Sequence, residues 1–436
     1  MKKIALIVSL LTCSLVNSQK LLPLEEAIAT ALQHNYDILL SKNDSAIAAI
    51  DFSYRNAVFI PRLNANAGTI WNNNNTKQTL SDGTERNRTG LKSNNINSQL
   101  ALSWTLFDGL KMFITRDKLA QLVELGDLEI KNQVASTIAT VINNYYNIVQ
   151  QKQQLKSIEE QISINTERVK LAQNRLDIGV GIKPDLLQSK IDLNVQKAAE
   201  LLQQTLIAQL REDLNRAMGV PQFTVYEVVD SIPINEAIVL EETLREADKN
   251  NPELLLAKKN IDIAGYTLKE RKAEQFPTLS FNSAYNFNRT TNQAVINNFS
   301  TLFNQNRGFN FGLSATIPIL NNFNTRRLIR QAQWNIDYQH IVYENQRSVT
   351  ALSVIKAYHA YELLKKALEL EEENIIWANE NLDIVFQTYR LNSATLLELK
   401  LAQNTQAESY RRLIAARYNT KVAETELLRL KGDLVR

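Results

Sequence analysis

The side chains that most often carry out catalysis are few in this sequence and lie far apart. Histidine occurs only as His34, His340 and His359, and none has the Cys, Asp or Glu spacing of a zinc site. The signatures of zinc peptidases, serine hydrolases and nucleotide-binding loops are missing. Gly179 and Gly181 mark a tight turn without the third glycine and the preceding strand of a dinucleotide site. The sequence therefore predicts a protein that is not an enzyme and has no cofactor or metal site.

Charged side chains are numerous but balanced. The 436 residues include 49 basic and 46 acidic side chains, so the strongly basic field of a nucleic-acid-binding domain is excluded. Most Glu and Lys residues fall in predicted helices and are interpreted as solvated faces. Glycine (12) and proline (8) are scarce, which favours long helices without interruption.

Apolar residues recur at every seventh position in two long segments. The first series is Val134, Val141, Ile148, Leu155, Ile162, Val169 and Leu176, and the second is Val354, Tyr361, Leu368, Ile375, Leu382 and Tyr389. A strict seven-residue repeat predicts coiled-coil packing. The first segment, from Lys111 to Leu176, would be roughly 100 Å long as a helix, which exceeds an ordinary domain. Turns near 177–184 and 390–396 make each segment one arm of a helical hairpin.

The two hairpins belong to an internal repeat. Leu24-Glu25-Glu26 matches Leu240-Glu241-Glu242 at a spacing of 216 residues, and Leu214 to Gly219 matches Leu427 to Gly432 at a spacing of 213. A nearly constant spacing over this length predicts two copies of one fold. We predict a first repeat at 19–219, a linker at 220–239, a second repeat at 240–432 and a C-terminal tail at 433–436.

The first residues are typical of an export signal. Two lysines precede the apolar stretch from Ile4 to Val16, which is too short for a membrane-spanning helix. We therefore predict a signal peptide at 1–18. Cys13 is the only cysteine and lies inside it. Leu11-Thr12-Cys13 fits a lipidation site poorly, so neither lipidation nor a disulfide is expected.

Four shorter segments alternate between apolar and polar residues, as half-buried β-strands do. They lie at about 60–72, 96–107, 277–288 and 307–319. Their polar positions hold Asn, Gln, Ser and Thr without charge, which suits a hydrated lumen if the apolar face meets lipid. Trp71, Trp104 and Tyr285 would then lie at the membrane interfaces. A half-exposed soluble sheet would show the same alternation.

The connections between these strands favour the membrane interpretation. Residues 72–95 and 289–306 are polar and Asn-rich and are predicted to be long loops, as on the outer side of membrane barrels. Four strands cannot close a barrel, so the sheet edges must pair with other copies of the chain. Three copies would supply twelve strands.

Several weak motifs become specific through their order and duplication. The signal peptide, the duplicated unit, Phe59-Ile60-Pro61-Arg62-Leu63, Phe107-Asp108-Gly109 and the tip from Gly179 to Leu187 together resemble the TolC-like outer-membrane efflux protein family. The resemblance covers nearly all of the chain after the signal peptide. It implies a mainly α fold with a membrane β part, in which a homotrimer forms a 12-stranded β-barrel and an α-helical tunnel.

The resemblance also implies a function and partners. The protein would be a passive exit duct for efflux or type I secretion in the outer membrane of a Gram-negative-type envelope, with an extension into the periplasm. Its periplasmic tip would be gated. A periplasmic adaptor protein and an inner-membrane transporter of RND, ABC or MFS type would be its partners, together with outer-membrane lipid, and the transporter would supply the energy.

Residues at the two hairpin tips receive roles from the resemblance. Tyr389 matches a tip tyrosine, Asp185 the carboxylate that it bonds, and Glu398 one acid of a ring at the aperture. The residues themselves also allow a helix N-terminal carboxylate at Asp185, packing at Tyr389 and a solvated surface acid at Glu398. The predicted adaptor contacts are Arg175, Leu176, Gly179, Arg390 and Leu391.

Three residues depart from the family pattern at the gate. Ala394 replaces a constricting arginine, Leu401 replaces a second aperture acid, and Asn392 replaces a tip glycine. We therefore expect a closed gate that is looser or held by other contacts. The helices alone would also fit a periplasmic coiled-coil scaffold or adaptor without a pore, and an envelope hydrolase with scattered catalytic residues is a third interpretation.

Overall fold

The computed structural model describes residues 21–235, 238–297, 299–391 and 393–435. The predicted signal peptide with Cys13 and the tip residue Asn392 lie outside these residues. The described part is mainly helical and contains one four-stranded sheet and one short pair of strands. This confirms the mainly α class with a β part.

The two halves of the chain contain the same order of long elements. The first half has β1 (Leu21–Leu22), α1 (Leu24–His34), α2 (Tyr36–Ser53), a 3₁₀ turn (Ala57–Phe59), β2 (Arg62–Thr79), β3 (Glu85–Phe107), α3 (Lys111–Asp177) and α4 (Lys183–Met218). The second half has β4 (Glu227–Val228), α5 (Leu240–Asn250), α6 (Pro252–Ala273), β5 (Thr278–Asn292), β6 (Phe303–Thr316), α7 (Asn324–Arg390), α8 (Leu396–Lys431) and a 3₁₀ turn (Asp433–Val435).

Corresponding helices of the two halves have matching lengths. Helices α1 and α5 have 11 residues each, α3 and α7 have 67, and α4 and α8 have 36. Equal lengths at equal places in the order are what two copies of one ancestral unit would give. Among the described residues, no helix is both long enough and apolar enough to cross a membrane.

The chain forms two compact units, each of which is considered by itself. The helical unit comprises residues 21–45, 126–257 and 343–435, and the sheet-containing unit comprises residues 46–125 and 258–342. The long helices contribute residues to both units.

The core of the helical unit includes a hydroxyl that joins the short strands to α3. Tyr145 is 1% exposed, and its hydroxyl donates to the carbonyl of Leu22 at 2.8 Å and accepts from the backbone N–H of Val229 at 3.0 Å. The parallel pair of β1 and β4 lies at this point. Because a buried hydroxyl needs partners, these two bonds hold β1 and the middle of the linker against the helix.

The seven-residue seam is apolar along α7 but not along all of α3. Every predicted seam residue of α7 from Val354 to Tyr389 is buried. In α3, Val141 and Ile148 are buried, but the predicted seam residues from Leu155 onward are only half-buried. The buried stripe there is Ser157, Gln161, Asn165, Arg168 and Ala172. The predicted apolar seam is therefore wrong over the last part of α3, where hydrogen-bonded polar side chains face the neighbouring helices.

The sheet-containing unit holds an antiparallel sheet in the order β2, β3, β5, β6. Its register separates the alternating residues by type. One row of partners on the apolar face is Ala65, Leu100, Tyr285 and Phe309, and the adjoining row on the opposite, amide-rich face is Asn66, Gln99, Asn286 and Gly308. The outer edges of β2 and β6 have no strand partner among the described residues.

The strands reach further than their alternation predicts. Strand β2 continues to Thr79 and β3 begins at Glu85, while β5 continues to Asn292 and β6 begins at Phe303. The predicted loops at 72–95 and 289–306 are therefore wrong in length. Backbone groups form the ladder, so Asn-rich segments can stay paired without apolar alternation.

The backbone at the end of β3 requires the glycine of Phe107-Asp108-Gly109. Gly109 has a φ of +73°, and a side chain there would meet the carbonyl of Ala273. Only glycine tolerates both the left-handed backbone and this close approach. The first turns of α3 are then tied to α6 by an ion pair of Lys118 with Glu270 at 2.9 Å.

Candidate functional site at the hairpin tips

The first hairpin tip is a turn between α3 and α4 that depends on its glycines. The backbone N–H groups of Val180 and Gly181 both donate to the carbonyl of Arg175, at 3.0 and 2.9 Å. Gly179 has a φ of +78°, and a Cβ on Gly181 would lie 2.9 Å from the backbone of Arg175. These contacts reverse the chain within a few residues and bring α4 back along α3.

The second hairpin tip is closed by a capping box. The Glu398 carboxylate accepts from the backbone N–H of Thr395 at 2.6 Å and from its hydroxyl at 2.9 Å, and the Thr395 hydroxyl accepts from the backbone N–H of Glu398 at 3.2 Å. The hydrogen bonds from the backbone and hydroxyl of Thr395 lower the pKa of Glu398. The predicted aperture acid thus lies in the first turn of α8 and caps it, and its exposed carboxylate is charged at neutral pH.

Tyr389 is buried and is held by an arginine from the other hairpin. It is 4% exposed, and the guanidinium of Arg175 lies 4.6 Å from the centre of its ring. The same guanidinium donates to the main-chain carbonyl of Tyr389 at 2.6 Å. Arg175, predicted as an adaptor contact, therefore joins α3 to α7 inside the chain.

Asp185 lies in the first turn of α4, as expected for a carboxylate near a helix N-terminus. No hydrogen bond joins it to Tyr389 within the part of the chain that the structure describes. The other predicted tip contacts differ in accessibility. Arg390, Leu391 and Gly179 are exposed, and Leu176 is half-buried.

A buried arginine lies further along α3 and connects three helices. Arg168 is 1% exposed and donates to Asn165 Oδ1 at 3.1 Å and to Gln403 Oε1 of α8 at 2.9 Å. Its other terminal nitrogen donates to the carboxylate of Asp192 on α4. Lys400 of α8 reaches the same carboxylate at 3.1 Å. The arginine therefore ties its own hairpin to that of the second repeat.

The Asp192 carboxylate is charged because of these partners. Burial would by itself raise its pKa, but hydrogen bonds from Arg168, Gln188 and Lys400 outweigh this and hold the pKa of Asp192 below its usual range. Two cations thus share one partly buried anion, an arrangement in which removal of one partner leaves the others uncompensated.

Comparison with known proteins settles the family of the chain. The profile of the outer membrane efflux protein family matches residues 27–220 and 243–433. The chain belongs to the outer membrane efflux protein family.

Individual relatives agree with this assignment. The outer membrane efflux protein BepC of Brucella suis is 23% identical over 77% of this chain and 72% of its own length. The alkaline protease secretion protein AprF of Pseudomonas aeruginosa is 24% identical over 77% of this chain and 70% of its own. The crystal structure of the outer membrane protein VceC of Vibrio cholerae has the same fold, with a TM-score of 0.73, 13% identity and coverage of 94% of this chain and 96% of that chain.

Membership of this family establishes the general function of the protein. It is an exit duct of efflux or secretion type in the outer membrane, with a periplasmic extension. The family consists of transport conduits, so the tips are to be understood as parts of a passage.

A polar ladder of three residues on α3 was missed by the sequence analysis. Gln161, Arg168 and Arg175 are spaced by seven and each bonds a helix of the second repeat. Gln161 donates to Gln406 Oε1 of α8 at 2.7 Å, and the arginines make the contacts described above. The available signal was a seven-residue spacing of polar residues beside the apolar one. Apolar periodicity alone does not reveal this polar spacing.

Proposed function

We propose that the protein works as a homotrimer in which three sheets close one twelve-stranded barrel and the helical hairpins form a gated tunnel in the periplasm. The observation that carries this proposal is the four-stranded sheet, whose edge strands β2 and β6 lack partners among the described residues. An edge of 18 residues, as in β2, is a strong template for pairing with another chain. Four strands are too few for a barrel, whereas twelve suffice.

An exposed apolar stripe on α7 supports assembly through the helices as well. Its members recur at every seventh position, with one interruption by Lys356. They lie on a different side of α7 from the buried seam. They are Val349, Leu363, Leu370, Trp377 and Ile384, with exposed fractions from 46% to 68%. A second apolar stripe of this spacing predicts a second coiled-coil contact. A neighbouring copy is its natural partner, because large exposed apolar surfaces are rare on isolated soluble proteins.

The dimensions of the apolar sheet face suit an outer-membrane barrel. Trp71 and Trp104 lie on this face, with Trp71 opposite Asn94 in the register. Ten residues separate Asn94 from Trp104, which is about 33 Å along a strand. Strands tilted by about 35–45° bring this close to the ~25 Å apolar band of such barrels. Tyr285 lies between the two levels, so we keep only the tryptophans as interface residues.

The gate in this proposal combines the tip residues with the polar ladder. Asp185, Tyr389 and Glu398 lie at the tips, and Arg168 and Arg175 hold the first hairpin against the second. Because Ala394 and Leu401 lack the side chains that close the family's gate, these intrachain contacts take a larger share of the closure. Opening would require the hairpins to separate at Arg168, where the partners are polar and can exchange with water.

The partners in this proposal are a periplasmic adaptor protein and an inner-membrane transporter of RND, ABC or MFS type that supplies the energy. The exposed tip residues Gly179, Arg390 and Leu391 are the proposed adaptor contacts, with Leu176 at their edge. Arg175 is assigned to closure instead, because its guanidinium is occupied by Tyr389. Repeats at 19–219 and 240–432, joined by the linker at 220–239, remain our proposed domain organisation.

The test of the assembly is direct. Membranes are extracted in mild detergent and the native mass is determined. Cysteine is then introduced at Asn66 in β2 together with Asn304, Asn306, Gly308 or Asn310 in β6, one pair at a time. Within one sheet these positions are at least about 14 Å apart across three strand spacings, too far for a disulfide. We expect one register to give a covalent trimer, with the single-cysteine variants as controls.

Two outcomes would refute the proposal. A soluble monomer in the periplasmic extract would favour the scaffold without a pore. A trimer that forms no cross-link in any of the four registers would show that the chains trimerise without joining their sheets into one barrel.

A further inference from the structure

The charges of the four long strands are distributed very unevenly. Strands β2, β3, β5 and β6 carry one acidic residue, Glu85, and seven basic ones, namely Arg62, Lys77, Arg86, Arg88, Lys92, Arg289 and Arg307. The parts at 63–71, 96–107, 279–288 and 308–316 carry no charge at all. Six of the seven basic residues therefore lie toward the β2–β3 and β5–β6 turns, beyond the uncharged parts.

Apart from Lys77, which is paired with Glu85, three of these cations lie on the apolar face, at its end. Residues that alternate along a strand share a face, so Lys92 lies on the side of Ile96 and Leu100. In the same way Arg289 follows Phe287 on β5, and Arg307 precedes Phe309 on β6. Each of these three strands thus places one cation two to four residues from the last apolar side chain of its uncharged part, and on β6 Phe303 lies four residues further out on the same face. We call Lys92, Arg289 and Arg307 the basic rim.

The basic rim has no counter-charge of its own. All three side chains are exposed, and none forms an ion pair within the described residues. The guanidinium of Arg289 lies 5.5 Å from the ring centre of Phe303. The one acidic residue of the strands, Glu85, is 3.1 Å from Lys77 and is therefore already paired.

The three cations are staggered along the strands in one direction. Arg289 lies opposite Ile96, so Lys92 lies four residues further out on β3, and Arg307 lies opposite Phe287, two residues further in on β6. Barrel strands tilt by about 35–45°, so residues at one membrane depth are staggered between neighbouring strands. A stagger that keeps its direction over three strands is what a level row of cations on a tilted sheet requires.

We propose that the basic rim binds the phosphate groups of a phosphorylated glycolipid in the outer leaflet, whose acyl chains lie on the apolar face. This rests on the proposed membrane barrel. One amphiphile matches both parts of the surface, because apolar side chains meet its chains and the cations at their end meet its headgroup. A free soluble anion would match the cations alone. Guanidinium groups suit phosphate particularly well, since they can donate two parallel hydrogen bonds.

The experiment measures binding of lipid A with two phosphates to the detergent-purified full-length protein by native mass spectrometry. The same lipid with both phosphates removed is the second probe, and inorganic phosphate is the competitor. The test variant is Lys92→Gln/Arg289→Gln/Arg307→Gln. The matched control is Arg62→Gln/Lys77→Gln/Arg86→Gln, which removes the same number of positive charges from β2 and β3 of the same sheet. A third variant, Lys92→Arg/Arg289→Lys/Arg307→Lys, keeps the charge.

We expect the test variant to bind the phosphorylated lipid at least about tenfold more weakly, since each cation near an anionic lipid surface contributes appreciably. The control and the charge-keeping variant should bind the phosphorylated lipid within about twofold of the wild type, because each still has a cation at all three rim positions. The dephosphorylated lipid should bind the wild type as weakly as the phosphorylated lipid binds the test variant.

Three results would overturn the proposal. An equal loss of lipid affinity in the control would show that the effect depends only on net charge. Equal binding of the dephosphorylated and phosphorylated lipids would show that apolar contact alone holds the lipid. Displacement by millimolar inorganic phosphate would indicate a site for free anions. A wild type that is monomeric would refute the trimer but leave this comparison readable, because all three cations lie in one chain.

Discussion

The two long helices α3 and α7 have the same length and the same place in the repeat, yet they pack in different ways. Along α7 the buried seam is apolar from Val354 to Tyr389. Along the last part of α3 the buried stripe is polar and centred on Arg168. Separating two apolar surfaces exposes them to water without any compensating contact, whereas the hydrogen bonds of a polar contact can be replaced by hydrogen bonds to water. The difference suggests that one helix supplies a rigid arm and the other a contact that can be released.

The largest effect should follow loss of the central polar contact. Arg168→Ala leaves Asp192 partly buried with only Lys400 as a cation, and we expect a destabilisation of about 3–5 kcal/mol, as for other broken buried ion pairs. We also expect a higher single-channel conductance in planar bilayers. The thermal unfolding of the helical signal in detergent measures the first effect.

A second substitution separates this contact from simple packing. Arg168→Met/Asp192→Leu removes both charges and keeps apolar volume, so much of the stability should return. The conductance should stay high, because the link to Gln403 of α8 is still absent. A double variant as unstable as Arg168→Ala would mean that Arg168 acts through packing alone.

The apolar side of the comparison is tested at Leu382, which is 6% exposed. Leu382→Ala removes buried methyl groups and leaves a cavity, with an expected destabilisation of about 2–4 kcal/mol. The conductance of the folded protein should remain that of the wild type, because no polar link between the hairpins is lost. Leu363→Ala on the exposed stripe is the matched control, and it should lower trimer stability instead. Equal conductance changes at Leu382 and Arg168 would abolish the proposed difference between the two helices.

The sequence predicts one side of this comparison far better than the other. The seam of α7 follows from apolar residues at every seventh position, and the first hairpin turn follows from Gly179. The second turn was predicted near 390–396, but the capping box of Thr395 and Glu398 is seen only in the structure. Arg168 could not be predicted in this way, because its partners on α4 and α8 lie far away in the sequence. A polar residue gives no sign of being buried until those partners are positioned.

The sheet shows the same limit of pattern reasoning. Alternation locates the parts of β2 and β3 that have an apolar face, including Leu63 and Leu100. It misses the continuation to Thr79 and from Glu85, because backbone pairing does not require apolar side chains. The basic rim could not be predicted for a related reason: Lys92 and Arg289 fall inside segments predicted to be loops.

A smaller and reversible effect should follow acidification. The pKa of Asp192 is lower in the folded protein than the usual value of about 3.9. A lowered folded pKa contributes stability above the unfolded value, and this contribution is lost as the pH falls through the folded value. We therefore expect the contact to be intact from pH 8 to pH 5 and to weaken below about pH 4.

The thermal midpoint and the conductance, followed from pH 6 to pH 3, measure this change. Asp192→Asn has no charge to lose at this position, so its additional loss below pH 4 should be smaller than that of the wild type. An identical acid response in both proteins would assign the change to other carboxylates, such as Glu398, whose pKa is also lowered.

The smallest effect should come from the tip residues that family resemblance singles out. Tyr389→Phe/Asp185→Ala removes the phenol and the carboxylate but keeps the ring beneath Arg175 and the bond from Arg175 to the main chain. If a bond between the two side chains closes the gate, its loss should cost about 0.5–1.5 kcal/mol and raise the conductance modestly. Asp177→Ala, at the same tip, is the control and should have no effect. Unchanged conductance in the double variant, with an increase in Arg175→Ala, would remove Asp185 and the Tyr389 hydroxyl from the gate. Closure would then belong to the polar contacts that α3 makes with the second repeat.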